Sequence, residues 1–209
     1  MSSASSNRVL SIYKSRKTIL DLLEYQDYLV EDYVGFSINE IDAMFVNSQL
    51  DLLVNHKNNQ KKTYVKYFIS SKIRAKDLDD IIEDLMYIEN VLQKTDTIII
   101  IVDEEPNESI TIKLKYLFDH DGIFVVIHNI SRLQFNILEH ALNPQVAVLE
   151  ENQMDDLMKK YNLKSFTQLP EIDRFDPLAL ALSLRPGQVC AMQRGSATAL
   201  SYKFYRICV

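Results

Sequence analysis

The sequence predicts an α/β chain, α+β when taken as a whole, with an N-terminal α/β domain carrying helices on a small mixed sheet. A small C-terminal α+β domain ending in a β-hairpin follows. Three observations lead there. The runs Ile98–Val102 and Ile123–Ile127 are apolar at every position, as a central strand covered on both faces reads. Amphipathic helical stripes alternate with these runs, the order expected of a sheet with helices on its faces. Beyond Asn143 and Pro144 the texture shifts to short helices and two long strand-like segments. The boundary is therefore expected there, giving domains 1–143 and 144–209.

Taken in order, Val9, Ile12, Tyr13, Arg16, Ile19, Leu20 and Leu23 repeat at helical spacing and predict a first helix over 7–25. Ser37 and Glu40 form a capping box, with Phe36 set to staple onto Ile41, and open a second helix of about four turns. Residues 62–69 read as a strand. Leu78, Ile81, Ile82, Leu85, Ile88 and Leu92 mark a third helix, and a weaker, β-branched one spans 108–118 between the two apolar strands. Ser131 with Gln134 reads as a further capping box, opening a helix through Leu133, Ile137 and Leu138. Leu157, Met158 and Tyr161 predict a short helix, and Asp176-Pro177 an N-cap and first helical residue. Arg185-Pro186-Gly187 turns the chain into strands Gln188–Arg194 and Ser201–Val209, joined around Gly195, with the last strand paired and buried.

Composition narrows the function. With 47% apolar and 25% charged residues the chain is neither disordered nor fibrous. Only four glycines occur, at 35, 122, 187 and 195, so a glycine-rich phosphate cradle cannot be built and P-loop, dinucleotide and kinase chemistry drop out. No apolar run approaches the roughly 20 residues that span a bilayer, and the first twenty residues show no secretory pattern. His56, His120, His128, His140, Cys190 and Cys208 lie at no metal-ligand spacing. The cysteines read as small buried residues of a reducing compartment. Asp103, Glu104 and Glu105 after an apolar strand raise a metal-dependent nuclease, but no lysine follows an Asp or Glu by two residues, so the pair such enzymes need is missing. No catalytic residue, metal or cofactor is expected.

Net charge is −6 but uneven: residues 77–160 carry −12, while the segments on either side carry +3 each. The acidic middle opposes nucleic acid. Lys57, Lys61, Lys62, Lys66, Lys72, Arg74 and Lys76 form a run without a carboxylate from Leu52 onward, interleaved by Tyr64, Tyr67 and Phe68. That run reads either as a solvated strand with aromatics on its inner face or as a nucleic-acid contact.

The C-terminal third carries a specific string: Tyr161-Asn162-Leu163-Lys164, Gln168-Leu169-Pro170-Glu171-Ile172, Asp176-Pro177-Leu178-Ala179-Leu180, Leu184-Arg185-Pro186-Gly187-Gln188-Val189, then Arg194, Ser196, Thr198, Tyr202 and Tyr205-Arg206-Ile207-Cys208. In this order and spacing it resembles the fifth subunit shared by eukaryotic nuclear RNA polymerases I, II and III, whose C-terminal module also stands alone as a small subunit of the archaeal polymerase. Arg8–Tyr28, Gly122–Val125 and Asn129–Ser131 extend the resemblance to the whole chain. Several positions depart from it. Val146 stands for the family's histidine after Pro144, Ala191 for a lysine, Ala197 for a glutamate, Ala199 and Leu200 for Gly-Arg, and Arg132 for a proline. Together these imply a diverged copy, cellular or encoded by a large DNA virus.

The resemblance implies a non-catalytic polymerase subunit, with a jaw domain (1–143) near downstream duplex DNA and a C-terminal assembly domain (144–209) docked on the largest subunit. Its partners would be polymerase subunits and, weakly and without sequence preference, DNA, but no membrane and no small-molecule ligand. Partner-binding residues would be Arg185, Gly187, Arg194, Tyr202, Tyr205 and Arg206. Tyr202 and Tyr205, three apart in a strand, point to opposite faces, so at most one belongs to the core. DNA-proximal residues would be Ser131 and Arg132, at a capped helix N-terminus suited to a phosphate, and Lys57, Lys61 and Lys62. A cellular member would be nuclear, and a viral one would occur in the virion or in host cytoplasm or nucleus. The alternative is a free-standing nucleic-acid-binding or adaptor protein using the basic 57–76 segment.

Overall fold

The computed structural model describes the backbone from Ser3 to Val209 and the side chains from Ser6 onward. The chain divides into two compact units, the first ending at Phe135 and the second running Asn136–Val209. This division falls upstream of the Asn143-Pro144 punctuation because Leu138 packs into the C-terminal core.

The first unit opens with helix α1 (Ser3–Tyr25), then α2 (Ile38–Val46), β1 (Leu52–Asn55), β2 (Lys62–Phe68), α3 (Ala75–Glu83), β3 (Thr97–Val102), α4 (Glu108–Tyr116) and β4 (Phe124–Asn129). Its sheet has the order β1-β2-β3-β4, with β1 antiparallel to β2 and the other pairs parallel. All six residues of β3 and of β4 are buried, as their unbroken apolar character requires. Helix α1 buries Val9, Ile12, Ile19, Leu20, Leu22 and Leu23. Arg8 at its start donates to both carboxylate oxygens of Asp103, at 2.6 and 2.5 Å, and to the carbonyl of Ile69 at 2.8 Å. One side chain thus ties α1 to the residues that follow β2 and β3. At the opposite end of the strands, the buried Asp96 carboxylate accepts from the Lys62 and Gln93 amides at 2.8 and 2.7 Å, fixing where β2 begins.

Several elements differ from expectation. The Ser37–Glu40 capping box forms, but α2 has nine residues and not four turns, because Ser48 enters left-handed backbone (φ +55°) directly after its cap. Helices α3 and α4 each widen at the end into a five-residue π turn, Asp84–Ile88 and Leu117–Asp121. Gly122 (φ +71°) closes the second. No regular helix follows Ser131. Two 3-10 turns stand there instead, Ile130–Gln134 and Ile137–Glu139. Asn129 and Asn136 accept from the Ser131 and Leu138 amides at 2.8 and 3.0 Å, giving the backbone a local alternative to a helix. Gln134 turns away from Ser131 to donate to the carbonyls of Ile130 and Ser11.

In the second unit β5 (Gln145–Val148), α5 (Glu151–Tyr161), β6 (Glu171–Ile172), α6 (Pro177–Ala181), β7 (Val189–Ser196) and β8 (Leu200–Cys208) build a sheet of order β5-β7-β8-β6. Asp176 caps α6 by accepting from the Leu178 amide at 2.9 Å, with Pro177 at its first position. The β7–β8 hairpin turns on Ala197–Ala199, not around Gly195, which pairs with Ser201 inside the ladder. The Ser196 hydroxyl makes that turn, accepting from the amides of Thr198 and Ala199, both at 3.3 Å. Strand alternation gives the sheet two unlike faces. Cys190, Met192 and Cys208 pack with Val146, Ile172 and Leu178 on one, while Val189 and Ile207 pack with Leu157 on the other. Both cysteines are buried and free.

Two outcomes follow. Replacing Ile100, fully buried in β3, by Ala should lower unfolding stability by about 2–5 kcal/mol in urea titrations, since a parallel core strand leaves its cavity little room to collapse. Burial pushes the Cys208 thiol from its ordinary 9.0 up to about 11, and Cys190 in the same direction. The folded state therefore holds its thiol protons longer than the unfolded one. Their contribution to stability is complete below about pH 9 and is lost as pH rises toward 11. Unfolding free energies measured across that window should fall less steeply for Cys208→Ala than for the parent chain.

Candidate functional site

Three acidic residues follow β3, and each faces a cation from a different stretch of chain. Asp103 holds Arg8, Glu104 pairs with Lys72 at 2.8 Å, and Glu105 with Arg132 at 2.9 Å. Among the described residues no three His, Cys, Asp or Glu side chains are grouped so as to hold a metal ion. The acidic run works as a clasp that draws in α1, the segment after β2, and the turn after β4.

That clasp engages the loop expected to meet a phosphate. The Ser131 amide already donates to Asn129, and Arg132 to Glu105. The turn they occupy is five residues of 3-10 helix, too short for the summed dipole of a long helix. Ser131 and Arg132 are both exposed, with the Ser131 amide and the Arg132 Nε engaged within the unit.

The basic run is also partly neutralised internally. Lys66 pairs with Asp51 at 3.3 Å and Arg74 with Asp77 at 3.1 Å, beside the Lys72–Glu104 pair. Lys57 and Lys61 are exposed and Lys62 half-buried, on the β1–β2 hairpin. These three make no ion pair among the described residues. The interleaved aromatics Tyr64, Tyr67 and Phe68 are all half-buried. Tyr64 donates to Asp51 at 3.1 Å, and burial pushes the Tyr67 phenol up to about 12. Of the seven cations singled out in sequence, the hairpin lysines are the ones left to act on an outside anion, together with Lys76.

The C-terminal residues gather on one sheet. Arg194, Tyr202, Phe204 and Arg206 share a face of the β7–β8 ladder, since Arg194 pairs with Tyr202, Met192 with Phe204 and Cys190 with Arg206. Arg194 and Arg206 both lie over the Phe204 ring, at 4.5 and 5.5 Å from its centroid. Two guanidinium groups therefore bracket one phenyl, each attracted to its electron-rich face. Neither has a carboxylate partner among the described residues, and the Arg206 Nε is buried without a hydrogen-bond partner. Phe204 was not singled out in the sequence. Its place in the ladder register, two residues from each of Tyr202 and Arg206, is the signal that finds it.

Tyr202 is 42% exposed, whereas Tyr205 turns to the opposite face, packs on the Leu157 cluster and meets the Tyr161 ring edge-on at 5.9 Å. Tyr205 supports the sheet from behind. Arg185 and Gly187 sit in the turn before β7, where Gly187 (φ +88°) donates its amide to the Cys208 carbonyl at 2.9 Å, and the Arg185 amide donates to Gln188 at 2.8 Å. The turn is thereby locked to the end of β8.

The chain is similar to known proteins along its length. The family described as "RNA polymerase Rpb5, C-terminal domain" matches residues 135–208. The "DNA-directed RNA polymerase subunit Rpo5" of Thermococcus kodakarensis is 39% identical over 79 residues, covering 38% of this chain and 95% of that protein. Its counterpart in Pyrococcus abyssi is 38% identical over 76 residues, 36% of this chain and 92% of the relative. A protein of Caenorhabditis elegans named "DNA-directed RNA polymerases I, II, and III subunit RPABC1" is 28% identical over 214 residues, covering 95% of both chains. Nearly all of the archaeal protein and nearly all of the eukaryotic one are thus covered by this chain, which belongs to the Rpb5 family of DNA-directed RNA polymerase subunits.

Proposed function

We propose that this subunit docks on the largest polymerase subunit through its C-terminal unit, and that its N-terminal unit forms part of the lower jaw beside downstream DNA during transcription. The observation that carries the docking half is the Arg194–Phe204–Arg206 stack with Tyr202 beside it. Two cations held on one sheet face with no internal carboxylate are prepared for carboxylates brought by another chain, and arginine and tyrosine are the residue types enriched at interface hot spots. Arg185 and Gly187 shape the turn at the other end of the ladder. Contact with DNA, weak and independent of sequence, falls chiefly to Lys57, Lys61 and Lys62, whose charges no carboxylate among the described residues neutralises, whereas Arg132 is paired with Glu105. A eukaryotic member of the family working this way acts in the nucleus.

Two experiments test the two halves. Replacing Arg194 and Tyr202 together by Ala should leave the melting temperature of the isolated chain within a few degrees of the parent, yet reduce incorporation into purified polymerase, since losing one anchor typically costs about 2 kcal/mol or more. Unchanged stoichiometry against the two largest chains would refute the docking face. Replacing Lys57, Lys61 and Lys62 by Gln in assembled polymerase should shorten elongation-complex lifetime more at low salt than at high. Each lost phosphate contact should flatten the dependence of log affinity on log salt by about 0.9. Equal lifetimes at low salt would leave the N-terminal unit as a protein-docking element alone.

A further inference from the structure

We propose that the groove between α1 and the segment around Tyr33–Ile41 is a docking site for a partner polypeptide segment carrying an aromatic residue next to an acidic one, with Arg16 receiving the carboxylate. The groove has a volume of about 280 Å³ and is walled by Tyr13, Leu20, Tyr33, Phe36 and Ile41, with Arg16 among its lining residues. Arg16 is only 4% exposed. Its Nη1 donates to the Leu50 carbonyl at 2.8 Å, its guanidinium carbon lies 5.6 Å from the centroid of the Phe36 ring, and its Nε is buried without a hydrogen-bond partner.

No carboxylate pairs with Arg16 among the described residues. A buried charge ordinarily needs an ion pair as well as hydrogen bonds, and here the compensation is one carbonyl, one ring face and the Tyr67 and Tyr33 phenols nearby. Burial accordingly holds the Arg16 guanidinium below its usual range. The Tyr33 hydroxyl itself donates to the Leu53 carbonyl at 2.8 Å. Lys17 and Asp21 also line the groove with opposite charges, so the excess positive charge there belongs to Arg16.

The ligand this chemistry fits has an apolar or aromatic body and an anionic end, the usual pairing of an apolar pocket with a few convergent polar groups. A polypeptide is favoured over a small carboxylate because the same stretch of chain leaves Leu29, Val34, Ile38 and Val46 exposed by 46, 61, 45 and 76%. Those side chains offer apolar surface beyond what a small molecule in the groove would cover. The site is separate from the β7–β8 face and stands or falls independently of it.

The test probes the full chain against an array of immobilised heptapeptides, each with Asp or Glu beside Phe, Tyr or Trp at varied positions, and against the same peptides with Asn or Gln in place of the acids. A subset of the acidic peptides should bind saturably, with the neutral versions at least about tenfold weaker, as expected for a charge-assisted bidentate contact. Arg16→Met should abolish the preference for acid. Because that change removes a buried side chain and risks the fold, Lys17→Glu and Val34→Arg, both at exposed positions, serve beside it. The first should weaken acidic peptides several-fold and the second should block them, with melting curves unchanged. Free 3-phenylpropionate is the competing probe. Binding no weaker than that of the best peptide would overturn the polypeptide assignment, and equal binding of acidic and neutral peptides, or none by either, would overturn the site.

Discussion

Every residue of Thr97–Val102 is buried, and a strand without a wet face must be paired on both edges and roofed on both sides. The first unit is arranged around that demand. Parallel neighbours require crossovers long enough to hold a helix, which is where α3 and α4 stand. The chain must also bring each crossover back over the sheet, and charged residues fix the ends: Asp96 at the start of β2, Asp103 and Arg8 after β3. The carboxylates that follow β3 are therefore consumed by architecture. A burial constraint in one strand decides that acids which resemble a catalytic cluster in sequence serve as fasteners.

The same reasoning separates what the sequence discloses from what it hides. The apolar runs of β3 and β4, the stripe of α1, the Ser37–Glu40 box and the Asp176-Pro177 helix start are local patterns, and each is read correctly from neighbours within a turn or two. Strands β1, β5 and β6 are two to four residues long, and too little alternation fits into them to register. The segment after Ser131 misleads because two asparagines, each just ahead of a candidate turn, outcompete the capping pattern with shorter-range bonds. At the functional surfaces the hidden information is long-range. Glu105, which pairs with Arg132, comes from 27 residues away, and the Tyr161 ring that Tyr205 meets comes from α5. The Arg194–Phe204–Arg206 stack exists only once β7 and β8 are in register.

Leu200 shows how divergence is accommodated at a turn. It sits at φ +56° with 89% of its surface exposed, in backbone that costs a side-chain-bearing residue roughly 1–2 kcal/mol and a glycine almost nothing. The Ser196 hydroxyl, by taking two amides of the turn, supplies part of what holds this conformation. The hairpin keeps its register with Leu200 in that conformation, and hence keeps Arg194 and Arg206 on the same sheet face as Phe204.

Helix α1 leaves the ribosome before the rest of its unit and is among the last of that unit's elements to find its partners. Its Arg8 and its Ser11 carbonyl both wait for groups encoded far downstream, at Ile69, at Asp103 and at Gln134. At translation rates of about 5–20 residues per second, that interval is on the order of ten seconds. During it the helix has α2 beside it but not the turn after β4. A holding chaperone would meet the apolar stripe of α1 before the sheet does.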